Sequence, residues 1–306
     1  MFTKYTTLII PTRNRPKKVN HLLLFFKNNK LKFNQILLID SSDREKKKYN
    51  FKIITELKVK IIDTYPSASH QRNLGIKMAN KKSKYILFLD DDVSFYNDSF
   101  IKMDKVLEEY KDIKKLGGIA FNLITHYKEN SFLIKIKNLS ILRVLKLYSS
   151  SPGKVLQSGL HTKIENFKKD RYVEWLFSGA TIYKKDIIKN HNFNESLGAY
   201  SYLEDLFFSY TIYKKGYKLL VPKIAKFKNP HLVERSNFNF GIKEIINRYK
   251  FVKKFNLNIF LFFILAVLRF FLSFIQIFKL KFNYFFRSLG NIYAFLLILL
   301  KIENEK

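Results

Sequence analysis

The sequence of 306 residues has no cysteine, only 10 glycines and 6 prolines, and few acidic side chains. The absence of cysteine excludes disulfide bonds, a thiolate nucleophile and a zinc-thiolate site, but it does not indicate a cellular compartment. A secretory leader is also not apparent, because the apolar run near the start, Leu8–Ile10, is far shorter than an h-region. We therefore expect the N-terminal part of the chain to remain in the cytosol.

Positive charge strongly exceeds negative charge, with 56 Lys and Arg against 25 Asp and Glu and a net charge of +31. Such a field attracts polyanions, for example nucleic acid, anionic lipid headgroups or a substrate that carries a diphosphate. Lys, Ile, Asn and Phe are all abundant together, so an AT-rich genome is an alternative source of the excess. Because 47% of the residues are hydrophobic, a full core is expected and global disorder is not.

Apolar residues alternate between strand spacing and helix spacing through the first 123 residues. The pattern predicts strands at 7–10, 35–40, 59–63, 85–89 and 117–123, and helices that begin near Pro16, Ser69 and Asp98. Pro11 is expected to end the first strand. Alternating strands and helices are typical of a mostly parallel α/β sheet, which binds ligands at the carboxyl ends of its strands.

The pattern is lost in residues 124–171, which are basic and which we interpret as an insertion over the ligand-binding edge that helps to choose the acceptor. Order returns from Val173 to about Phe227. The composition then changes again, because basic and strongly apolar helical patterns follow. We predict an α/β domain over residues 1–239 and a helical region over residues 240–306.

The apolar stretch Ile259–Phe278 has the length of a bilayer span, but Arg269 lies in its middle. A hairpin of two spans would place Lys279, Lys281 and Arg287 outside, against the positive-inside tendency. We therefore predict a helix that lies in the membrane interface with its apolar side chains down and its cations up. The protein would be peripheral or monotopic at the cytoplasmic face, attracted by anionic lipid. A true span and a buried core helix are the alternatives.

Three consecutive carboxylates, Asp90, Asp91 and Asp92, come directly after a hydrophobic strand. Like charges this close are unfavourable unless a cation or a hydrogen-bonding ligand compensates them. Hard carboxylate oxygens suit Mg²⁺ or Mn²⁺. The alternative is a solvated acidic turn that caps the helix near Asp98, which is less expected in a chain so poor in acids.

Three further polar clusters are candidates for ligand binding. Asp40 follows the second strand and can accept hydrogen bonds from a ribose or a base, although Asp and Ser are also ordinary turn residues. Arg72 lies near a helix N-terminus, where it can clamp a phosphate or simply be solvated. Glu204 and Asp205 lie in an aromatic stretch. Partial burial there can raise the pKa of a carboxyl group, so that this group can act as a general base. Alternatively, the two residues form an acidic first turn of a helix.

In this order, the motifs resemble those of glycosyltransferase family 2, which has the GT-A fold. The resemblance covers about residues 5 to 235 and implies a GT-A-like, mostly parallel nucleotide-binding sheet flanked by helices, with residues 1–239 as the catalytic domain. The segments that carry it are Ile9–Pro16, Leu38–Asp43, Arg72–Gly75, Phe88–Asp92, Ser178–Ala180, Phe193–Glu195 and Glu204–Asp205.

The resemblance also implies residue roles. Asp92 would bind a divalent Mn²⁺ or Mg²⁺ ion, and His231 is either a second ligand or an exposed loop histidine. Asp205 would be the catalytic base, with Glu204 beside it. The family often has Asp-Asp-Gly-Ser after the second strand, whereas this chain has Asp40-Ser41-Ser42, so the base of the donor stays open. The residues implied to bind the nucleotide sugar are Pro11, Thr12, Arg13, Asp40, Arg72, Asp90 and Asp91.

The implied reaction is an inverting transfer from a nucleotide-diphosphate sugar of the UDP, dTDP or GDP type to a glycan or lipid-linked acceptor. A nucleic-acid-binding protein and a catalytically inactive scaffold are the alternatives. No basic helix with base-reading residues and no RNA-binding signature is present, so nucleic acid is not expected as a partner. Intact Asp92 and Asp205 argue against the inactive scaffold, and the lack of a Gly-rich phosphate loop argues against a nucleotidyltransferase.

Overall fold

The structure is a computed structural model that describes residues 1–125, 144, 147–198, 201–229, 235–276 and 281–300. The chain forms two compact units. The first unit consists of Met1–His126 and Ile164–His231, and the second consists of Tyr127–Lys163 and Leu232–Lys306.

The first unit contains the strands and the shorter helices. Its strands are β1 (Thr6–Thr12), β2 (Gln35–Asp40), β3 (Val59–Asp63), β4 (Tyr85–Leu89), β5 (Ser94–Phe95), β6 (Leu116–Ala120), β7 (Asn122–Leu123), β8 (Arg171–Val173), β9 (Ala180–Lys184), β10 (Lys218–Val221) and β11 (Lys226–Lys228). Its helices are α1 (Pro16–Asn28), α2 (Phe51–Glu56), α3 (Ala68–Lys77), α4 (Ser99–Glu109), α5 (Lys185–Ile188) and α6 (Glu204–Lys214). The second unit contributes α7 (Phe238–Lys254), α8 (Ile259–Phe274) and α9 (Asn283–Leu299).

Within the described residues, eight strands form one sheet in the order β3-β2-β1-β4-β9-β6-β10-β8. The pairs β3–β2, β2–β1, β1–β4 and β6–β10 are parallel, whereas β9 runs antiparallel to both neighbours and β8 runs antiparallel to β10. A small second sheet has the order β5-β11-β7. The predicted GT-A-like fold, with a large and mostly parallel sheet flanked by helices, is confirmed.

Side chains of the sheet alternate between two buried layers, as the two-residue period of a strand requires. Leu8 and Ile10 of β1 belong to one layer, which also includes the apolar faces of α1 and α4. Ile9 belongs to the other layer together with Phe88 of β4 and Phe208 of α6. Both faces of the sheet are therefore covered, which explains why the central strands are continuous apolar runs.

The prediction that Pro11 ends the first strand was wrong, because β1 continues to Thr12. The Thr12 carbonyl accepts a hydrogen bond from the Ser41 amide, so this residue faces β2. Neighbouring residues of a strand face opposite sides, and Pro11 therefore faces the β4 side, where pairing has already ended at Ile9. The missing N–H of proline thus costs no ladder hydrogen bond at this position.

Helix α3 packs unusually close to β1 because of Gly75. A Cβ atom added there would lie 2.5 Å from Cγ2 of Ile9. The sequence suggested Ser69 as the N-cap of this helix, but the N-cap is Ser67, two residues earlier. The hydroxyl of Ser67 accepts a hydrogen bond from the His70 amide.

In the second unit, α7 and α9 cross with their backbones in close contact at two glycines. A Cβ atom on Gly241 would lie 2.3 Å from the Arg287 carbonyl oxygen, and one on Gly290 would lie 2.2 Å from the Phe238 carbonyl oxygen. The apolar cluster beside this crossing consists of Ile245, Val252, Phe262, Ala266, Ala294 and Ile298.

Across the parts of the chain that the structure describes, no helix combines the length and the hydropathy that a membrane crossing needs.

A buried carboxylate, Glu244, is the centre of a charged cluster in the same unit. It accepts hydrogen bonds from the guanidinium groups of Arg269 and Arg287 and lies 3.5 Å from the side-chain amide of Asn291. Burial alone would raise the pKa of Glu244, but the charges of the two arginines lower it to about 2. Arg269 therefore points inward to Glu244, and not outward with other cations as the sequence had suggested.

Candidate active site

The candidate site lies at the carboxyl ends of the parallel strands, where β1, β2 and β4 end side by side. The chain leaves β1 for β2 on one side, and β4 pairs with β1 on the other side. Such a reversal of strand order opens a crevice in which α/β sheets bind ligands. Thr12, Asp40 and the triplet that starts at Asp90 all lie at this edge.

Arg72 is the hub of the site, although its side chain is only 4% exposed. Its Nη1 lies 2.5 Å from Oε1 of Glu204, and its Nη2 lies 2.7 Å from Oδ1 of Asp90. The guanidinium carbon lies 5.6 Å from the ring centroid of Phe193. The structure thus places Arg72 between two carboxylates and not in solvent. Its contact with the nucleotide or its phosphates stays a prediction.

The two carboxylates bound to Arg72 have pKa values near neutrality. Burial raises the pKa of Glu204 to about 7 and that of Asp90 to about 6, although the charge of Arg72 lowers both. The nearby charge of Asp205 raises both values further. The net charge around Arg72 therefore changes over a physiological range of pH.

Asp205 differs from its neighbour Glu204 because one of its carboxylate oxygens accepts no hydrogen bond from the described residues. The two oxygens of Glu204 accept hydrogen bonds from Arg72 and from the Ser69 hydroxyl, 3.0 Å away. Oδ1 of Asp205 is buried and has no hydrogen-bond partner among the described residues. Leu203, which precedes α6, has a left-handed backbone with φ of 73°. Such conformations are costly outside glycine and are concentrated at functional sites.

The other two acids of the triplet, Asp91 and Asp92, contact basic side chains and a threonine hydroxyl. Asp91 accepts hydrogen bonds from Thr12 at 2.6 Å and from Arg15 at 3.1 Å. Burial raises the pKa of Asp91, and these two hydrogen bonds oppose the rise. Oδ2 of Asp92 lies 3.1 Å from Nη1 of Arg15 and 3.5 Å from Nζ of Lys18. The sequence had not assigned a role to Arg15 or Lys18.

Gly179 leaves room for the first acid of the triplet. The Asp90 amide donates a hydrogen bond to the Gly179 carbonyl at 3.0 Å. A Cβ atom on Gly179 would lie 2.8 Å from Oδ2 of Asp90. Any larger residue at position 179 would therefore displace this carboxylate, which gives the Ser178-Gly179-Ala180 motif a physical reason.

The metal ligands suggested by the sequence were Asp92 and His231. His231 lies outside the described residues, and among the described ones no three His, Cys, Asp or Glu side chains form a metal-binding group. Mg²⁺ and Mn²⁺ need only one or two carboxylates when phosphate oxygens and water complete their coordination. The hard oxygens of Asp92, 9% exposed at the strand edge, fit such a shared site.

Asp40 is fully buried and already hydrogen-bonded at the end of β2. It accepts hydrogen bonds from the Tyr49 hydroxyl and the Ser42 amide, both at 2.8 Å, and Lys47 lies 3.9 Å away. Burial and the hydrogen bond to Asp40 raise the pKa of Tyr49. Tyr49 was missed in the sequence, since it lies nine positions further on in an irregular segment.

The remaining predicted nucleotide contacts lie around the end of β1. Pro11 and Thr12 are buried in the strand, and Arg13 is exposed just beyond it. The side-chain amide of Gln71 donates to the carbonyls of Thr12 and Ile39, at 2.9 and 2.7 Å. Gln71 thus joins the ends of β1 and β2 at the crevice.

The Phe193–Glu195 motif docks on α3. The side chain of Asn73 exchanges two hydrogen bonds with the backbone of Phe193, at 2.7 and 3.0 Å. Glu195 accepts hydrogen bonds from Asn73, Tyr65 and His70, which lower its pKa against the effect of desolvation. The motif therefore fixes the Phe193 ring next to the guanidinium group of Arg72.

The sequence model of Glycosyl transferase family 2 matches residues 7–175, which is more than half of the chain. The chain therefore belongs to glycosyltransferase family 2. No curated protein gives a significant sequence match.

Solved structures of glycosyltransferases have a similar fold. Mannosyltransferase PcManGT from Pyrobaculum calidifontis, in complex with GDP-Man and Mn²⁺, is 12% identical with a TM-score of 0.55 over 99% of this chain and 88% of that chain. GalNAc-T7 with UDP, GalNAc and Mn²⁺ is 12% identical with a TM-score of 0.54 over 75% of this chain and 44% of that one. TarS from S. aureus is 15% identical with a TM-score of 0.50 over 79% and 39%. The chain thus spans less than half the length of the last two, and at these identities the similarity establishes the fold alone.

Proposed function

We propose that the protein is an inverting, metal-dependent glycosyltransferase that moves a sugar from a nucleotide-diphosphate sugar to a glycan or lipid-linked acceptor. The observation that carries the proposal is the convergence of Asp90, Glu204 and Asp205 around the buried Arg72 at one sheet edge of a family 2 fold. Asp92 lies at the same edge, next to Asp90. Donors of the UDP and GDP type are the first candidates, because GalNAc-T7 and PcManGT were crystallised with UDP and GDP-Man.

In this proposal, Asp90 accepts hydrogen bonds from the ribose while Arg72 holds its carboxylate in place. Asp92 would hold Mn²⁺ or Mg²⁺, which supplies Lewis-acid stabilisation of the negative charge on the leaving diphosphate. Arg15 and Lys18 now neutralise Asp91 and Asp92. When a donor binds, these two cations would turn to its phosphate oxygens, which carry more charge than one carboxylate.

Asp205 is the better candidate for the general base because both oxygens of Glu204 are already engaged. The acceptor oxygen forms a bond to the anomeric carbon, and the bond from that carbon to the diphosphate breaks with its electron pair on the diphosphate. The proton of the acceptor hydroxyl passes to the Asp205 carboxylate. A single displacement of this kind inverts the anomeric configuration. Glu204 would act as a positioning residue through Arg72.

We also propose that the enzyme works at the cytoplasmic face of a membrane. The net charge of +31 supports attraction to anionic lipid headgroups. A lipid-linked acceptor would then lie in the same surface to which the enzyme is attracted.

A donor screen tests the proposal most directly. Thermal unfolding would be followed with UDP-, dTDP- and GDP-sugars in the presence and absence of Mn²⁺, because a ligand that binds only the folded state raises the melting temperature. We expect one nucleotide class to stabilise the protein, and to do so more strongly with Mn²⁺. NMR of the product should show the opposite anomeric configuration to that of the donor. Stabilisation by none of the donors, or a product with retained configuration, would overturn the proposal.

A further inference from the structure

Helix α8 of the second unit turns its polar side chains inward. Arg269 bonds to the buried Glu244, and Ser273 is 3% exposed with its hydroxyl 3.4 Å from the side-chain oxygen of Asn291. All other residues of Ile259–Phe274 are apolar. A helix in contact with water normally has the opposite arrangement, with its polar residues outside.

Helix α9 shows the same inversion. Arg287, Ser288 and Asn291 are 8%, 0% and 1% exposed, although they are the most polar residues in the middle of the helix. The Asn291 amide donates to the Gly241 carbonyl at 3.0 Å, and Arg287 bonds to Glu244. The polar groups of both helices therefore satisfy one another in the interior of the unit.

The outward faces of the two helices are large and apolar. At about 100° per residue, the exposed apolar residues of α8 fall within one face of that helix and those of α9 fall within one face of α9, so each set forms a stripe along its helix. We call them the outer stripes; their most informative members are Phe260, Val267, Phe271, Phe286, Leu289 and Leu296, which are 69%, 44%, 52%, 54%, 39% and 49% exposed. Six such side chains expose roughly 600 Å² of apolar surface, the upper end of what a soluble monomer tolerates.

The charges around the outer stripes favour a lipid surface over a second copy of this chain. Lys253 and Lys254 are exposed at the end of α7, and Lys281 is exposed just before α9. Cations that flank an apolar helix face are attracted to anionic headgroups while the apolar side chains enter the acyl region. A second copy would instead bring together two chains that each carry +31.

We propose that the outer stripes of α8 and α9 dock on an anionic lipid bilayer, with Phe271, Phe286 and Leu296 in the acyl region and Lys281 at the lipid phosphates. The ion pair between Arg269 and Glu244 keeps both charges out of the lipid contact. This inference rests on the membrane location proposed above, but it is independent of the transfer chemistry.

Flotation of the full-length protein with vesicles tests the inference. One set of vesicles is phosphatidylcholine alone, and the other also contains phosphatidylglycerol. The variant Phe271→Ser/Phe286→Ser should bind the anionic vesicles at least about tenfold more weakly than the unmodified protein, because two phenyl groups are lost from the acyl contact. The matched control is Phe51→Ser/Ile101→Ser in the first unit, where the two side chains are 67% and 52% exposed. The control should bind as well as the unmodified protein.

A second measurement gives the depth of insertion and covers the case in which the double variant unfolds. A tryptophan at position 286 (Phe286→Trp) should be quenched by lipids with brominated acyl chains, whereas one at position 51 (Phe51→Trp) should not. Equal quenching at the two positions would overturn the inference, as would vesicle binding that the double substitution leaves unchanged. A dimer in sedimentation equilibrium that the same substitutions dissociate, without vesicle binding, would make a second copy the occupant and the inference wrong.

The outcome is separable from that of the proposed function. If vesicle binding fails while a sugar nucleotide still raises the melting temperature, only the lipid inference fails. If the protein binds vesicles but responds to no sugar nucleotide, only the transfer function fails.

Discussion

At the scale of single residues, the site is organised by Arg72, which binds two carboxylates from distant parts of the sequence. Arg72 lies 18 positions before Asp90 and 132 before Glu204, and it contacts both. A buried guanidinium with two carboxylates stays balanced only while both partners are present. The position of Asp205 therefore depends on Arg72 through its neighbour Glu204.

The metal assignment predicts a specific loss in Asp92→Asn. A neutral amide is a poorer ligand than a carboxylate for a hard cation, so the variant should lose the part of donor-induced stabilisation that depends on Mn²⁺. The melting temperature without ligands should stay close to that of the unmodified protein. Asp186→Asn is the matched control, since the Asp186 side chain is 94% exposed. Full activity in EDTA, or in Asp92→Asn, would contradict the assignment.

The base assignment predicts a difference between two neighbouring substitutions. Asp205→Asn should lower turnover by about a hundredfold or more, the usual size of a general-base contribution, and should leave donor binding intact. Glu204→Gln should lower turnover less, because it loosens Arg72 without removing the proton acceptor. The two variants are compared by single-turnover rates and by donor-induced thermal shifts. Normal turnover in Asp205→Asn would rule out this residue as the base.

The acidic residues of the site and Arg72 were predictable from the sequence, but Arg15, Lys18 and Tyr49 were not. Asp90–Asp92 stand out because consecutive acids after an apolar run have no packing explanation. Arg15 lay inside a segment that carried the family resemblance, yet its contact with Asp91 depends on the turn after β1. Tyr49 reaches Asp40 from an irregular segment, for which no periodic pattern exists. Contacts that depend on loop geometry are thus the part that the sequence does not predict.

At the scale of helices and strands, the distance between α3 and β1 decides where Arg72 lies. Gly75 lets the two elements approach, because it has no Cβ atom to meet Ile9. The sequence predicted β1 from its apolar run and α3 from a capping serine, but the antiparallel position of β9 between β4 and β6 has no local signal. Its apolar residues fit any buried strand, and only the tertiary fold fixes their neighbours.

Gly75→Ala should destabilise the protein by about 1–3 kcal/mol, the usual cost of overpacking a core. The added methyl group meets Cγ2 of Ile9 at 2.5 Å, so α3 must shift and carry Arg72 with it. The additional substitution Ile9→Ala removes the side chain that the new methyl group meets. It should therefore restore part of the stability that Gly75→Ala loses. Urea unfolding of the two single variants and the double variant gives the coupling. Simple additivity of the two effects would contradict the close contact.

At the scale of the whole molecule, charge is distributed unevenly between surface and interior. The chain carries a large positive excess, whereas the candidate site holds two acids, Asp90 and Glu204, whose pKa values are raised by burial. Stability should therefore depend on pH through the site as well as through the general repulsion among lysines.

Glu204 makes this dependence testable. Its pKa in the folded protein, about 7, lies above the ordinary value of 4.5. Its contribution to stability is therefore fully present below about pH 4.5 and is lost as the pH rises through about 7. Between about pH 5 and about pH 8, the unfolding free energy of the unmodified protein should fall more than that of Glu204→Gln. Urea unfolding at both pH values measures the difference, and parallel pH profiles would contradict the raised pKa.

The central strand of the sheet is also one of the last to be synthesised. Among the described strands, β9 alone connects the half that contains β1 to β4 with the half that contains β6. On the ribosome, the first half can pair as soon as residue 89 has emerged. Strand β6, however, must wait for residues 180–184 before it can join that half, and for residues 218–221 of β10 before its other edge is paired. Until then, β4 and β6 each present an unpaired edge, the kind of surface on which nascent chains aggregate. We expect chaperones to protect the growing chain during this interval, and translation pauses before residue 180 to lower the yield of folded protein.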